Sequence, residues 1–176
     1  TVPSSDAQYF KLQYDVRQYV PLTKKHEFTL LMRGRLGYGN GYGKTDGNDN
    51  LFPFYENYYA GGFTTLRGFR SNSAGPKAVY TVNGNPGSCN TDSCLTATDD
   101  SVGGNAIALA SMELIVPTPF VSDDFRSQIR TSMFVDAASV WDTEFVYDPK
   151  YAGDRYYLDY SDPTNYRASY GAALQW

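Results

Sequence analysis

Five segments of the sequence alternate apolar and polar residues with a period of two, and this alternation constrains the fold more than any other feature of the chain. In the first segment, Phe10, Leu12 and Tyr14 alternate with the polar residues Lys11 and Asp15. Because successive side chains of a β-strand point to opposite faces, this pattern predicts a strand with one apolar and one polar face. The five segments predict strands at approximately residues 8–20, 27–39, 104–116, 128–141 and 167–176, with long loops at approximately residues 40–103 and 142–166.

The polar face of these predicted strands is heavily charged. It carries Lys11, Asp15, Arg17, Arg33, Arg35, Glu113, Asp136 and Arg167. Burying so many charges in the dry core of a soluble sandwich would be very costly, whereas a hydrated lumen or an exposed sheet face largely removes that cost. Alternation alone does not separate a membrane barrel from a soluble sheet, but the charges favour the barrel.

The connections between the predicted strands alternate in length. The segments PLTKKH and PTPFVSDDF are short, whereas the other two connections are long. Outer-membrane barrels alternate short periplasmic turns with longer extracellular loops. Four aromatic residues near predicted strand ends fit the aromatic girdle of such a barrel: Tyr19, Tyr38, Trp141 and Trp176. These features predict an all-β protein that forms a transmembrane antiparallel β-barrel.

Charge balance and the chain ends narrow the possible functions. The chain has 176 residues, of which 15 are basic and 19 acidic, for a formal net charge of −4. It therefore lacks the basic excess of a nucleic-acid-binding protein. The sequence opens on TVPSSDAQ and ends on GAALQW within a strand-like pattern, so we expect an internal piece of a larger protein.

Cys89 and Cys94, the two cysteines of the sequence, lie in the polar segment SCNTDSC. A disulfide between them is predicted, which implies an oxidising compartment; reduced, unpaired thiols are the alternative. Two cysteines with His26 far away in sequence make a poor zinc site, and we expect no metal. His26 lies in a short turn without a nearby nucleophile motif, so we interpret it as a solvated residue and predict no catalytic residues.

The long loop contains the segment FPFYENYYAGGFTTLRGFRSNSAGPKAVY, which is rich in aromatic residues and glycines. This segment, GGNAIALASMELIVPTPF and YSDPTNYRASYGAALQW together resemble the BamA family, the barrel subunits of the bacterial outer-membrane barrel assembly machinery. The resemblance covers essentially the whole chain. It implies a β-barrel of about sixteen antiparallel strands, preceded by periplasmic domains. This chain would supply a partial barrel of about five strands with one long lumen-folding loop.

The resemblance also implies a set of site residues. The family signature, usually Val-Arg-Gly followed by Phe or Tyr, matches Leu66, Arg67, Gly68 and Phe69 in this sequence. In the family the signature arginine contacts acidic groups on the inner barrel wall, and the matching positions are Glu113 and Asp136. The alternation independently places both carboxylates on the polar face. We expect these six residues to form a structural clamp in the lumen.

The function implied by the resemblance is insertion of β-barrel proteins into the outer membrane of a Gram-negative bacterium. The implied partners are nascent outer-membrane β-barrel proteins, accessory lipoproteins of the assembly machinery and outer-membrane lipid, without nucleic acid and without a cofactor. Two alternatives remain at this stage. The chain could belong to a passive porin or surface-adhesin barrel, or to a related secretion barrel of the same superfamily.

Overall fold

The computed structural model describes residues 8–24, 27–45, 47–81, 95–118, 129–146 and 158–175. Within these ranges the regular structure consists of β-strands and one short 3₁₀ helix, Phe54–Glu56. The strands are β1 Tyr9–Pro21, β2 Thr29–Gly41, β3 Lys44–Thr45, β4 Asn48–Asp49, β5 Lys77–Thr81, β6 Leu95–Ser101, β7 Ala106–Val116, β8 Arg130–Trp141 and β9 Arg167–Gln175.

Five of the strands form one antiparallel sheet in the order β1-β2-β7-β8-β9. Each of these strands pairs with the strands before and after it in this order, with continuous registers such as Arg17 opposite Arg33 and Ser111 opposite Asp136. The predicted all-β antiparallel architecture is confirmed. The sheet is a barrel wall that is not closed within this chain, because β1 and β9 each pair on one side only within the described residues.

The register gives the sheet two chemically different faces. We call the inner wall the face formed by the odd-numbered residues of β1, β2, β7 and β9 and the even-numbered residues of β8. The opposite, outer face exposes large apolar side chains, including Leu12, Met112, Met133, Tyr170 and Leu174. Exposed apolar surface of this extent on a sheet matches the lipid-facing band of a membrane barrel.

We call the long connection between β2 and β7, residues 42–105, the inward loop. Its described parts, residues 42–45, 47–81 and 95–105, include the segment that folds back onto the inner wall. Four of its residues pack against four residues of the wall in one buried cluster: Tyr58, Ala60, Leu66 and Ala74 with Ile107, Leu109, Ala138 and Val140. The core of the structure therefore lies between the inward loop and one end of the wall, formed by the first half of β7 and the last half of β8. It does not lie between two sheets. Short hairpins, β3–β4 and β5–β6, form within the loop.

The structure differs from the sequence-based expectations in several details. The long loop was predicted without strands of its own, yet it contains two hairpins. Tyr19 was assigned to the aromatic girdle, but it shares the parity of Arg17 and lines a cavity on the inner wall, so that assignment is wrong. The predicted disulfide of Cys89 and Cys94, the turn residue His26 and the girdle residue Trp176 lie outside the described residues. Among the residues that are described, no helix has the length and apolarity needed to cross a membrane.

Candidate functional site

A tight glycine-dependent turn carries the loop down to the inner wall. Gly61 and Gly62 have φ angles of 117° and 91°, in the left-handed region where only glycine is comfortable. A side chain at Gly61 would overlap the backbone of Arg70. The amide of Leu66 donates to the carbonyl of Gly62 at 3.1 Å and closes the turn. Arg67 is the residue directly after this turn, and its side chain contacts the inner wall.

The Arg67 side chain makes a network of short hydrogen bonds across the inner wall. Its Nε and Nη2 donate to the two carboxylate oxygens of Asp136, each at 2.8 Å, in a bidentate pair. Its Nη1 donates to Glu113 Oε2 at 2.7 Å. Its Nη2 also donates to Ser111 Oγ at 3.3 Å, and its backbone amide donates to Asp136 Oδ2 at 3.2 Å. Five hydrogen bonds thus join one loop residue to two adjacent strands.

The network is buried. Asp136, Glu113 and Arg67 are 0%, 5% and 6% exposed. Charged groups withdrawn from water to this degree are tolerated only when paired and fully hydrogen-bonded. The pairing meets that requirement, since Asp136 Oδ1 also accepts the Ser111 hydroxyl at 2.6 Å. The hydrogen bond to Asp136 raises the pKa of the Arg67 guanidinium above its ordinary value, so the side chain stays cationic.

The strand register explains why these groups meet. Ser111 of β7 lies directly opposite Asp136 of β8, and Glu113 lies opposite Phe134. The Phe134 ring packs against the Arg67 guanidinium, with 3.7 Å between the guanidinium carbon and the ring centroid. Planar stacking of this kind favours arginine over lysine. Gly171 of β9 leaves room for the ring, because a Cβ there would lie 2.9 Å from Phe134 Cζ.

The other members of the predicted signature lie beside the guanidinium. Leu66 is 0% exposed within the buried cluster, and Phe69 packs partly buried against that cluster. Gly68 has a φ of 84°, and a Cβ at this position would lie 3.6 Å from Ser169 Cβ on β9. The structure therefore brings together all six residues that the sequence placed in the clamp.

Three residues of the site were not predicted. Ser111 bridges Arg67 and Asp136, Phe134 stacks on the guanidinium, and Arg130 Nη2 approaches Glu113 Oε1 at 3.4 Å. On its strand, each of these residues is separated by an even number of positions from Glu113 or Asp136 and therefore lies on the same face. The alternation pattern could have assigned all three to the inner wall. Sequence alone does not say which residues of a polar face lie under one loop residue.

A second set of contacts holds the loop nearer the other end of the wall. The Tyr58 hydroxyl donates to the carbonyl of Leu12 at 2.9 Å, and Lys11 Nζ lies 4.7 Å from the centre of the Tyr58 ring. Gly37 on the inner wall provides the space for this ring, since a Cβ there would lie 2.6 Å from Tyr58 Cζ. Lys11 also pairs with Glu56 at 3.0 Å. The loop is anchored at two places, of which the Arg67 site is the more buried.

The free energy of these contacts is large enough to hold the inward loop on the inner wall. Closing a loop of roughly sixty residues costs about 3–4 kcal/mol of chain entropy. One hydrogen bond to a charged group contributes about 1.5–3 kcal/mol. Five such contacts and an apolar cluster are therefore enough to hold the loop closed where one contact would not be. In the described part of the chain, no group of three or more His, Cys, Asp or Glu residues is arranged to hold a metal ion.

Comparisons with known proteins agree with this architecture. The sequence matches the Omp85 superfamily domain over residues 1–176. It is 37% identical over 141 residues to the outer membrane protein assembly factor BamA of Neisseria meningitidis serogroup B, an alignment that covers 80% of this chain and 15% of that protein. The structure resembles the crystal structure of BamA from Haemophilus ducreyi lacking POTRA domains 1–3, with a TM-score of 0.80 and 37% identity. That match covers 99% of this chain and 30% of the other, so the chain spans less than a third of either relative.

Proposed function

Because this chain belongs to the Omp85 superfamily, we propose that it forms part of an outer-membrane protein insertase, which assembles β-barrel proteins and inserts them into the outer membrane of a Gram-negative bacterium. Its relatives support this proposal, since the Neisseria protein is an outer membrane protein assembly factor. The clients would be nascent outer-membrane β-barrel proteins, and accessory lipoproteins would be its partners. The proposed role of this segment is to form part of the lumen wall and to hold the inward loop. This role involves no bond-making chemistry.

The observation that supports this role best is the burial of Arg67 between Glu113 and Asp136. The buried ionic network is costly to desolvate, and it fixes a loop of roughly sixty residues to the wall, so we infer that the loop is held in one conformation. In an insertase, the same network would hold the lumen and the wall in one defined shape while client strands pair at the barrel. The site is thus proposed as a conformational anchor.

The test is charge reversal in the full-length protein that contains this chain. Glu113→Lys and Asp136→Lys each place a cation beside Arg67 and should lower the outer-membrane levels of client barrels and impair growth. The matched control is Asp15→Lys, which alters an exposed carboxylate on the same wall that pairs with Arg35. Wild-type assembly in both buried-site variants, at wild-type levels of the protein itself, would count against the anchor.

Ion conductance separates the insertase from a porin. The Arg67→Ala variant should reduce client assembly in reconstituted vesicles. A change in conductance with undiminished client assembly would instead favour a pore. Measuring both in one preparation makes the comparison independent of protein amount.

A further inference from the structure

A second charged site lies on the inner wall, next to the Arg67 clamp. It is a cavity of about 250 Å³ near the strand ends that the short connection between β1 and β2 joins. Four arginines line it, namely Arg17, Arg33, Arg67 and Arg130, together with the carboxylate of Glu113. The loop turn at Phe63 and Thr64 borders the cavity.

The charges around this cavity do not balance. Arg67 is neutralised by Asp136 and shares Glu113 with Arg130. The other nearby carboxylate, Asp15, is taken by Arg35, with 2.6 Å between Oδ1 and Nε. Arg33 has no carboxylate partner among the residues that the structure describes. Arg17 is exposed and interacts with Asp15 only electrostatically, without an ion pair.

The arrangement of these two arginines is electrostatically unfavourable. Arg17 and Arg33 lie directly opposite each other on β1 and β2 and share the inner wall. Like charges at directly opposed positions of an antiparallel pair destabilise it. A sequence that keeps two such cations on one face gains from an anion between them.

The hydrogen-bond donors around the cavity are also incompletely used. Arg33 makes one long bond, from Nη2 to Ser111 Oγ at 3.4 Å, while its buried Nε has no partner in the described structure. The Nε of Arg130 is buried and unpartnered in the same way. Arg17 donates no hydrogen bond to any described residue. Buried donors without a partner are uncommon and call for an explanation.

We propose that this cavity binds a carboxylate of an acidic polypeptide segment in the lumen, with Arg17 and Arg33 donating the hydrogen bonds. The guanidinium fork matches a planar carboxylate in two parallel bonds. The cavity lies on the inner wall, on the opposite side of the sheet from the apolar face, so phospholipid headgroups do not reach it through that face. Its volume suits a side chain or a chain terminus. The assignment of the peptide to a client rests on the proposed function.

The experiment measures peptide binding to the full-length protein in nanodiscs of zwitterionic lipid, by fluorescence anisotropy. The probes are a labelled glutamate-rich peptide and the same peptide with glutamine at each glutamate. We expect the glutamate peptide to bind at least about tenfold more tightly, and the double variant Arg17→Gln, Arg33→Gln to remove that preference. The control Arg167→Gln changes an arginine on the same wall that lies at the other end of β9 from the cavity and does not line it, and should shift the affinity less than about twofold.

The outcomes separate the site from the proposed function. Equal binding of the two peptides, or an unchanged preference in the double variant, overturns the carboxylate site whether or not the protein assembles clients. Binding of a short-chain phosphatidylglycerol that is lost in the same double variant, together with no preference for the glutamate peptide, would assign the cavity to a lipid headgroup and also overturn it. If the preference is present but the wild-type protein assembles no client in the same preparation, the proposed function fails and the carboxylate site stands.

Discussion

Replacing Arg67 with alanine is the perturbation whose size the structure defines best. The substitution removes four side-chain hydrogen bonds and the stacking on Phe134, and it leaves the carboxylates of Glu113 and Asp136 buried without their main cation. Of the five bonds only the one from the backbone amide can survive. Breaking a buried ionic network from one side costs about 3–5 kcal/mol.

That loss destabilises the closed state, in which the inward loop is docked on the inner wall. A change of about 3–5 kcal/mol corresponds to an increase of roughly 150- to 5,000-fold in the population of the open loop. Hydrogen exchange reports this population residue by residue. The amides of Gly62, Leu66 and Ala74 are suitable reporters, because each donates to a carbonyl within the loop. We expect their protection to fall by that factor while the amides of β7 change little.

Two further variants test the reasoning behind this magnitude. Arg35→Ala removes an arginine of the same wall whose ion pair is partly exposed, with side chains 33% and 43% accessible, so loop protection should change by less than about 1 kcal/mol. Combining Arg67→Met with Glu113→Gln and Asp136→Asn removes the charges of Arg67 and of its two carboxylate partners and should restore part of the protection. Loop protection that stays within threefold of wild type in Arg67→Ala would refute the argument.

Three other predictions follow from single contacts. Ser111→Ala removes a 2.6 Å hydrogen bond to a buried carboxylate and should lower the free energy of unfolding, measured in detergent, by about 1–3 kcal/mol; an unchanged value would show that the hydroxyl is dispensable. Gly37→Val places atoms where the Tyr58 ring now lies, and should increase proteolysis of the loop relative to Leu36→Val, a change at an exposed position on the outer face of the same strand; equal cleavage of the two variants would contradict this packing. Cys89 and Cys94 should resist thiol labelling until a reductant is added, and full labelling without reductant would disprove the disulfide.

Much of the fold can be predicted from the sequence because the side chains of every strand in a barrel wall alternate between the two faces of the sheet. Alternation assigns each side chain to a face, and the charges of Asp136 and Glu113 then identify the inner wall. The same parity correctly places Arg67's partners without any knowledge of register. What alternation does not provide is the depth at which a loop residue contacts the wall, since that depends on which residues oppose each other.

The parts that could not be predicted depend on packing between distant segments. The apolar residues Ile107 and Val140 lie on the face that also carries charges, because the inward loop covers that part of the wall. Gly37 has to be small because the ring of Tyr58, a residue of the inward loop, occupies the space that a side chain at position 37 would need. In each case the deciding contact joins residues far apart in sequence.

The most direct test of the docked loop is a disulfide between Gly68 and Ser169. A Cβ at Gly68 would lie 3.6 Å from Ser169 Cβ, within the separation that a disulfide requires. In full-length protein with Cys89 and Cys94 replaced by serine, Gly68→Cys with Ser169→Cys should crosslink under mild oxidation. Gly68→Cys with Ala168→Cys should not, because residue 168 has the opposite parity on β9 and faces outward. Crosslinking at position 168 in preference to position 169 would contradict a loop docked on the inner wall.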